Sequence, residues 1–172
     1  MKIITRYFNF FGLLVSSIAS AYAMPQKAFE ANYFTTDSYQ IILDKNKHQP
    51  FLLVLWSLDC PPCISELKTL GAFHKQYPQH KIILVSTDTK NQLDEIESLM
   101  IKNNLQEIEQ WVFDGAFQYI RHSIDPGWYG ELPRSYFYKK NQSRLSSSGQ
   151  LHHDQLINLF SINKTISGSQ SL

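Results

Sequence analysis

The sequence predicts an α/β domain with a central mixed sheet, an antiparallel C-terminal hairpin and helices on both faces. Three observations carry this expectation. Two unbroken apolar runs, FLLVLW at 51–56 and KIILVS at 81–86, suit strands buried on both faces of a parallel sheet. Segments with apolar residues at helical spacing follow each of them. Near the C-terminus, SYFYK at 135–139 and RLSSS at 144–148 flank Lys140-Asn141-Gln142 as the arms of a hairpin would.

Taken in order, residues 24–36 are mixed in character and read as an N-terminal extension. Residues 37–46 fit a short helix, with Asp37 or Ser38 as the N-cap. The strand 51–56 runs into a turn, Ser57-Leu58-Asp59, and then into Cys60-Pro61-Pro62-Cys63. Cys63, Leu67, Leu70 and Tyr77 recur at helical spacing until Pro78 stops the helix. After the strand 81–86, the segment 91–105 carries Leu93, Ile96, Leu99 and Met100 on one helical face. A short strand at 110–113 and a helix at 117–124 follow, closed by the turn Asp125-Pro126-Gly127. Beyond the hairpin, 151–162 reads as a closing helix that turns Leu156, Leu159 and Phe160 inward. The domain therefore spans 37–162, and the polar, Ser-rich 163–172 is expected to be a flexible tail.

The balance of 16 Lys+Arg against 15 Asp+Glu in 172 residues offers no basic patch for nucleic acid. Two cysteines are too few for a disulfide-stapled miniprotein or a four-cysteine zinc site. The N-terminus has the form of an address. Lys2 and Arg6 precede an apolar stretch through Ala19, and Ala21-Tyr22-Ala23 fits an A-x-A cleavage pattern. The apolar part is short of the roughly 20 residues a membrane span needs. We therefore read 1–23 as a cleaved secretory signal peptide, with an uncleaved anchor as the other reading. Cleavage there leaves 149 of the 172 residues, enough to bury a core without staples. Export to a periplasmic space places the two thiols where a disulfide persists.

The chemistry lies in Cys60-Pro61-Pro62-Cys63, set between a buried strand and a helix. Two intervening residues let one helical turn bring the sulfurs together. With Cys60 capping the helix, its sulfur sits at the positive end of the helix dipole, which favours thiolate. Cys63, one turn in, is expected to be more buried. Cys60 would attack a substrate disulfide and Cys63 would resolve the mixed disulfide. Two consecutive prolines remove two potential N–H donors to the Cys60 sulfur, leaving the Cys63 N–H, and Asp59 adds a negative charge beside it. Both effects disfavour the thiolate and so lower the reduction potential, which points to a reductant or isomerase-type partner. The alternatives are a structural disulfide and half of a metal site. The six histidines show no ligand spacing beyond the adjacent His152-His153, which point in different directions on a helix.

These features resemble the thioredoxin superfamily, and more narrowly its exported TlpA/ResA/DsbE type. The matching stretches are FLLVLWSLDCPPC at 51–63, KIILVSTD at 81–88 and GELPRSYFY at 130–138. The resemblance implies a thioredoxin-like fold over 37–162 and a cis Pro133 lying against the cysteine pair. It implies that Leu132 offers backbone groups to an extended substrate. It implies a protein-disulfide reductase with Cys60 and Cys63 as its catalytic pair, needing neither metal nor organic cofactor. Partners would be proteins with disulfides or thiols, apocytochrome c among them, and a membrane electron donor. Trp56 reads as packing beneath the motif; Trp128 and Tyr129 read as an apolar substrate rim or as packing. This sequence departs from the family at three points: Asp59 replaces a common Trp, Val54 stands where thioredoxin has a buried acid, and Leu132 replaces a usual Thr. Glu131 is then a candidate proton acceptor for Cys63, against a solvated surface role. The alternative function is a non-catalytic thioredoxin-fold module that binds extended peptides or Cu(I).

Overall fold

The computed structural model describes the backbone of residues 29–168 and the side chains through Ser161. The expected signal peptide, 1–23, lies outside the described residues. Six strands form one sheet in the order β1-β4-β3-β2-β5-β6: β1 (Ala31–Phe34), β2 (Phe51–Trp56), β3 (Lys81–Thr89), β4 (Glu109–Phe113), β5 (Arg134–Tyr138) and β6 (Arg144–Ser148). The β1–β4, β4–β3 and β3–β2 pairs are parallel, whereas β2–β5 and β5–β6 are antiparallel. The helices are α1 (Ser38–Asn46), α2 (Pro61–Gln76), α3 (Leu93–Lys102), α4 (Phe117–Ile124) and α5 (His153–Gly168).

Every residue of β2 is buried, as its unbroken apolar run requires. Because strand side chains alternate, Leu52, Val54 and Trp56 join one core with α2, α3 and α5. Phe51, Leu53 and Leu55 join a second core with α1 and α4. Both cysteines lie in the first of these. The second is closed by a polar strap: the Arg134 and Arg144 guanidiniums lie 5.0 and 4.9 Å from the Tyr136 ring centroid, and both reach Asp125. That strap ties the hairpin to the turn after α4.

Several boundaries differ from the sequence reading, and those of β1, α1 and α5 have a local physical reason or extend the fold. Strand β1 lies inside 24–36, the segment read as an extension, and pairs with β4 along its whole length. Its alternation is hard to see, because it is four residues long and three of them, Ala31, Asn32 and Tyr33, are at least partly open to solvent. Asp37 caps α1 by position only; the Ser38 hydroxyl instead accepts the Thr35 N–H at 2.9 Å, which turns the chain into the helix. Helix α5 continues beyond 162 to Gly168, into the segment expected to be a flexible tail.

Close packing of α2 needs a glycine. A β-carbon on Gly71 would overlap the backbone carbonyl of Asn103, at the end of α3, and backbone cannot rotate away. Gly71→Ala is therefore expected to lower stability by roughly 1–3 kcal/mol despite alanine's better helix propensity. Equilibrium denaturation checks this; a stabilised variant would contradict the close approach.

Candidate active site

Strand β2 delivers the chain to the N-terminus of α2 through a turn closed by the Cys60 N–H donating to the Ser57 carbonyl at 3.3 Å. Cys60 is extended (φ −114°, ψ 95°) and is the N-cap of α2. Its sulfur accepts the Cys63 N–H at 3.2 Å. Pro61 and Pro62 fill the first two helical positions and have no N–H to offer. The two cysteines are joined as a disulfide, with their Cα atoms 5.2 Å apart. Cys63 is fully buried and Cys60 retains a small exposed face, the asymmetry expected of an attacking and a resolving thiol.

The turn is pinned by a residue the sequence reading passed over. The Asp88 carboxylate, at the end of β3, accepts the Ser57 hydroxyl at 2.8 Å, the Leu58 N–H at 2.9 Å and the Ser86 hydroxyl at 2.6 Å. Asp88 is buried, and these three donors satisfy it. Asp59 is exposed, with its N–H on the Ser57 hydroxyl. Trp56 is buried in the core that holds both cysteines, so it supports the motif by packing.

The Leu132–Pro133 peptide bond is cis. The β2–β5 register pairs Leu55 with Arg134, so Pro133 follows on beside the end of β2, where the cysteine turn departs. Pro133 is buried and Leu132 partly so, packed against both cores. Trp128 and Tyr129 separate. Trp128 is fully buried with its indole N–H on the Glu131 carbonyl, hence packing, whereas Tyr129 is 90% exposed.

Glu131 is a surface residue. Its carboxylate accepts the Ser148 hydroxyl at 2.7 Å and the Tyr129 N–H at 3.2 Å, and lies 3.6 Å from Arg134. Val54 is buried among apolar side chains. Besides Asp88, a second buried acid is Glu66, one helical turn past Cys63 on the inward face of α2 and only 1% exposed. Burial pushes its pKa up to about 7, opposed by the Leu151 N–H that donates to it at 3.0 Å. Its second oxygen has no partner among the described residues. The signal was present in the spacing, since Glu66 shares with Cys63 and Leu70 the stripe that faces the core.

A disulfide at the N-terminus of a helix, fed by a central buried strand and flanked by a cis-proline ahead of an antiparallel strand, defines a thioredoxin-like fold. Residues 23–106, just under half of the chain, match the AhpC/TSA family. Among solved structures, the chain is similar to a secreted Mycobacterium tuberculosis disulfide oxidoreductase homologous to E. coli DsbE. That pair shares 19% identity at a TM-score of 0.56, covering 69% of this chain and 85% of that one. It is also similar to StoA from Bacillus subtilis, with 21% identity and a TM-score of 0.52 over 67% and 84% of the two chains. A secreted thiol-disulfide isomerase from Corynebacterium glutamicum gives 16% identity and a TM-score of 0.56 over 68% and 71%. No curated protein matches the sequence. At these identities the likeness establishes the fold.

The buried carboxyl has a signed consequence. Below about pH 4.5 Glu66 is protonated in both the folded and unfolded chains. Between there and about 7 the unfolded chain releases its proton first, so this group's contribution to stability falls as pH rises. The fall amounts to roughly 3 kcal/mol once the folded carboxyl has ionised. Glu66→Gln should match the wild type in acid and exceed its stability above neutrality; parallel pH–stability curves would contradict the buried, raised carboxyl.

Proposed function

We propose that the protein is an exported thiol–disulfide oxidoreductase that reduces disulfides of other proteins. The observation that carries this reading is the Cys60 sulfur at the mouth of α2, bonded to a buried Cys63 beside a cis-proline. In the dithiol form, the Cys60 thiolate attacks one sulfur of a substrate disulfide and the other sulfur leaves as a thiolate. Cys63 then loses its proton and attacks the Cys60 sulfur, releasing the second substrate thiolate and closing the Cys60–Cys63 disulfide. Two electrons pass to the substrate, and a dithiol donor in the membrane must return them for turnover. Glu66 receives the Cys63 proton, because a buried acid titrating near neutrality can both take and release it. The backbone at Leu132, ahead of Pro133, binds the substrate as an added strand.

The reductive direction follows from the poverty of donors at Cys60. Among the described residues only the Cys63 N–H is placed on its sulfur, the two prolines supply none, and the Asp59 carboxylate opposes a second negative charge nearby. A thiolate so little stabilised makes the dithiol a better electron donor. Export is supported by the sequence of 1–23 and by the secreted proteins that share the fold.

Cys63→Ser is expected to accumulate mixed disulfides with thiol proteins of an exported-protein extract. Cys60→Ser should lose insulin reduction and trap far less. Non-reducing gels and the turbidity of reduced insulin report the two results. An unreactive Cys63→Ser variant, with Cys60→Ser as active as the wild type, would leave the pair a structural disulfide.

A further inference from the structure

The hollow between the hairpin and α5 has the lining of a small-molecule site, and we propose that it binds a small neutral amphiphile, a substituted ring that carries one hydroxyl or carbonyl. The hollow follows from strand alternation. Ser135 and Phe137 of β5 turn to the core that holds the cysteines, because they pair with Val54 and Leu52, both members of that core. Ser147 and Leu145 of β6 stand across from them on the same face. Helix α5 covers this face with Leu156 and Phe160, and Phe160 meets Phe137 edge-on at 5.0 Å between ring centroids. The next stripe of the helix, Gln155, Asn158 and Leu159, overhangs the hairpin. Below it stand Ser135 and Ser147, two short side chains in register, and a cavity of about 270 Å³ is left.

The lining sets the chemistry of the occupant. Leu52, Phe137 and Leu151 form an apolar floor, each at most 3% exposed, which selects an apolar body. An apolar cavity of about 150 Å³ holds one benzene. At about 270 Å³ this one holds a ring with a substituent. No charged side chain lines it among the described residues, so an ion would lose its hydration without gaining a counter-charge. Every polar side chain in the lining is a neutral hydroxyl or amide. Ser135 is the buried one, 2% exposed, and its hydroxyl has no hydrogen-bond partner among the described residues. A buried polar group left in that state costs stability. A serine hydroxyl swings among three positions about a single bond, so a hydroxyl or carbonyl in the hollow can engage it. The exposed amides of Gln155 and Asn158 offer further partners at the surface.

Titrating the oxidised protein with para-ethylphenol and following backbone amide chemical shifts tests the site. The shifts should saturate at millimolar ligand or below and concentrate at Leu145, Ser147, Gln155 and Leu159. Ethylbenzene lacks the hydroxyl and para-ethylbenzoate carries a charge, so each should bind at least about five-fold more weakly. Ser135→Ala should weaken para-ethylphenol about five-fold and leave ethylbenzene unchanged. Ser147→Leu fills the hollow from the other strand and should abolish the binding of both; it serves if the Ser135 variant fails to fold. The absence of saturable shifts at these residues overturns the proposal, as does binding that survives Ser147→Leu. Equal affinity for the three compounds, or a folded Ser135→Ala that binds para-ethylphenol as tightly as the wild type, overturns the ligand class assigned to the hollow.

Discussion

The short contact from the Cys63 N–H to the Cys60 sulfur fixes the rest of the active end of this molecule. It exists because a fully buried strand delivers the chain to a helix N-terminus at Cys60 and because the two residues between the cysteines are prolines. With their N–H groups absent, Cys63 supplies the first available donor. The carboxylate of Asp88 holds the approach turn through Ser57 and Leu58, so the sulfur's position is set by the sheet and not by the exposed loop. Trp56 and Cys63 are both buried in the core below.

Charge is rationed around this sulfur. Asp59 lies at the surface beside it, whereas the one carboxyl buried on the inward face of α2 is Glu66, a turn beyond Cys63. A carboxyl in that setting is held near neutrality by desolvation, the condition for exchanging a proton with a buried thiol. In the proposed mechanism the two acids act on different sulfurs: Asp59 opposes the Cys60 thiolate, and Glu66 takes the Cys63 proton. The link from Glu66 to the Leu151 N–H also joins α2 to the start of α5, so this carboxyl is anchored by two elements.

The strands and helices that bury long apolar runs were legible in the sequence. β2, α4 and β6 begin and end where the pattern sets them, and β5 is shifted by one residue. The first strand was not, because at an edge only its Phe34 is buried and the alternation has too few positions to register. The cysteine pair and the cis Leu132–Pro133 bond were legible, the second through resemblance and not through composition. Asp88 was hidden for a different reason. Its partners Ser57 and Leu58 are some 30 residues away and meet it only once β2 and β3 pair in register. Glu66 was not singled out in the sequence, although its spacing from Cys63 and Leu70 puts it on their buried face. Glu131, the acid nearest the cis-proline in sequence, is bound to Ser148 at the surface.

We propose that the Cys60–Cys63 pair, with one backbone donor to the Cys60 sulfur among the described residues and Asp59 beside it in sequence, is a reductant. Equilibrating the Cys60–Cys63 pair against thiol redox buffers measures this directly. The expected reduction potential lies near or below roughly −220 mV. A value near about −120 mV would make the pair an oxidant and contradict the role assigned to the two prolines and Asp59.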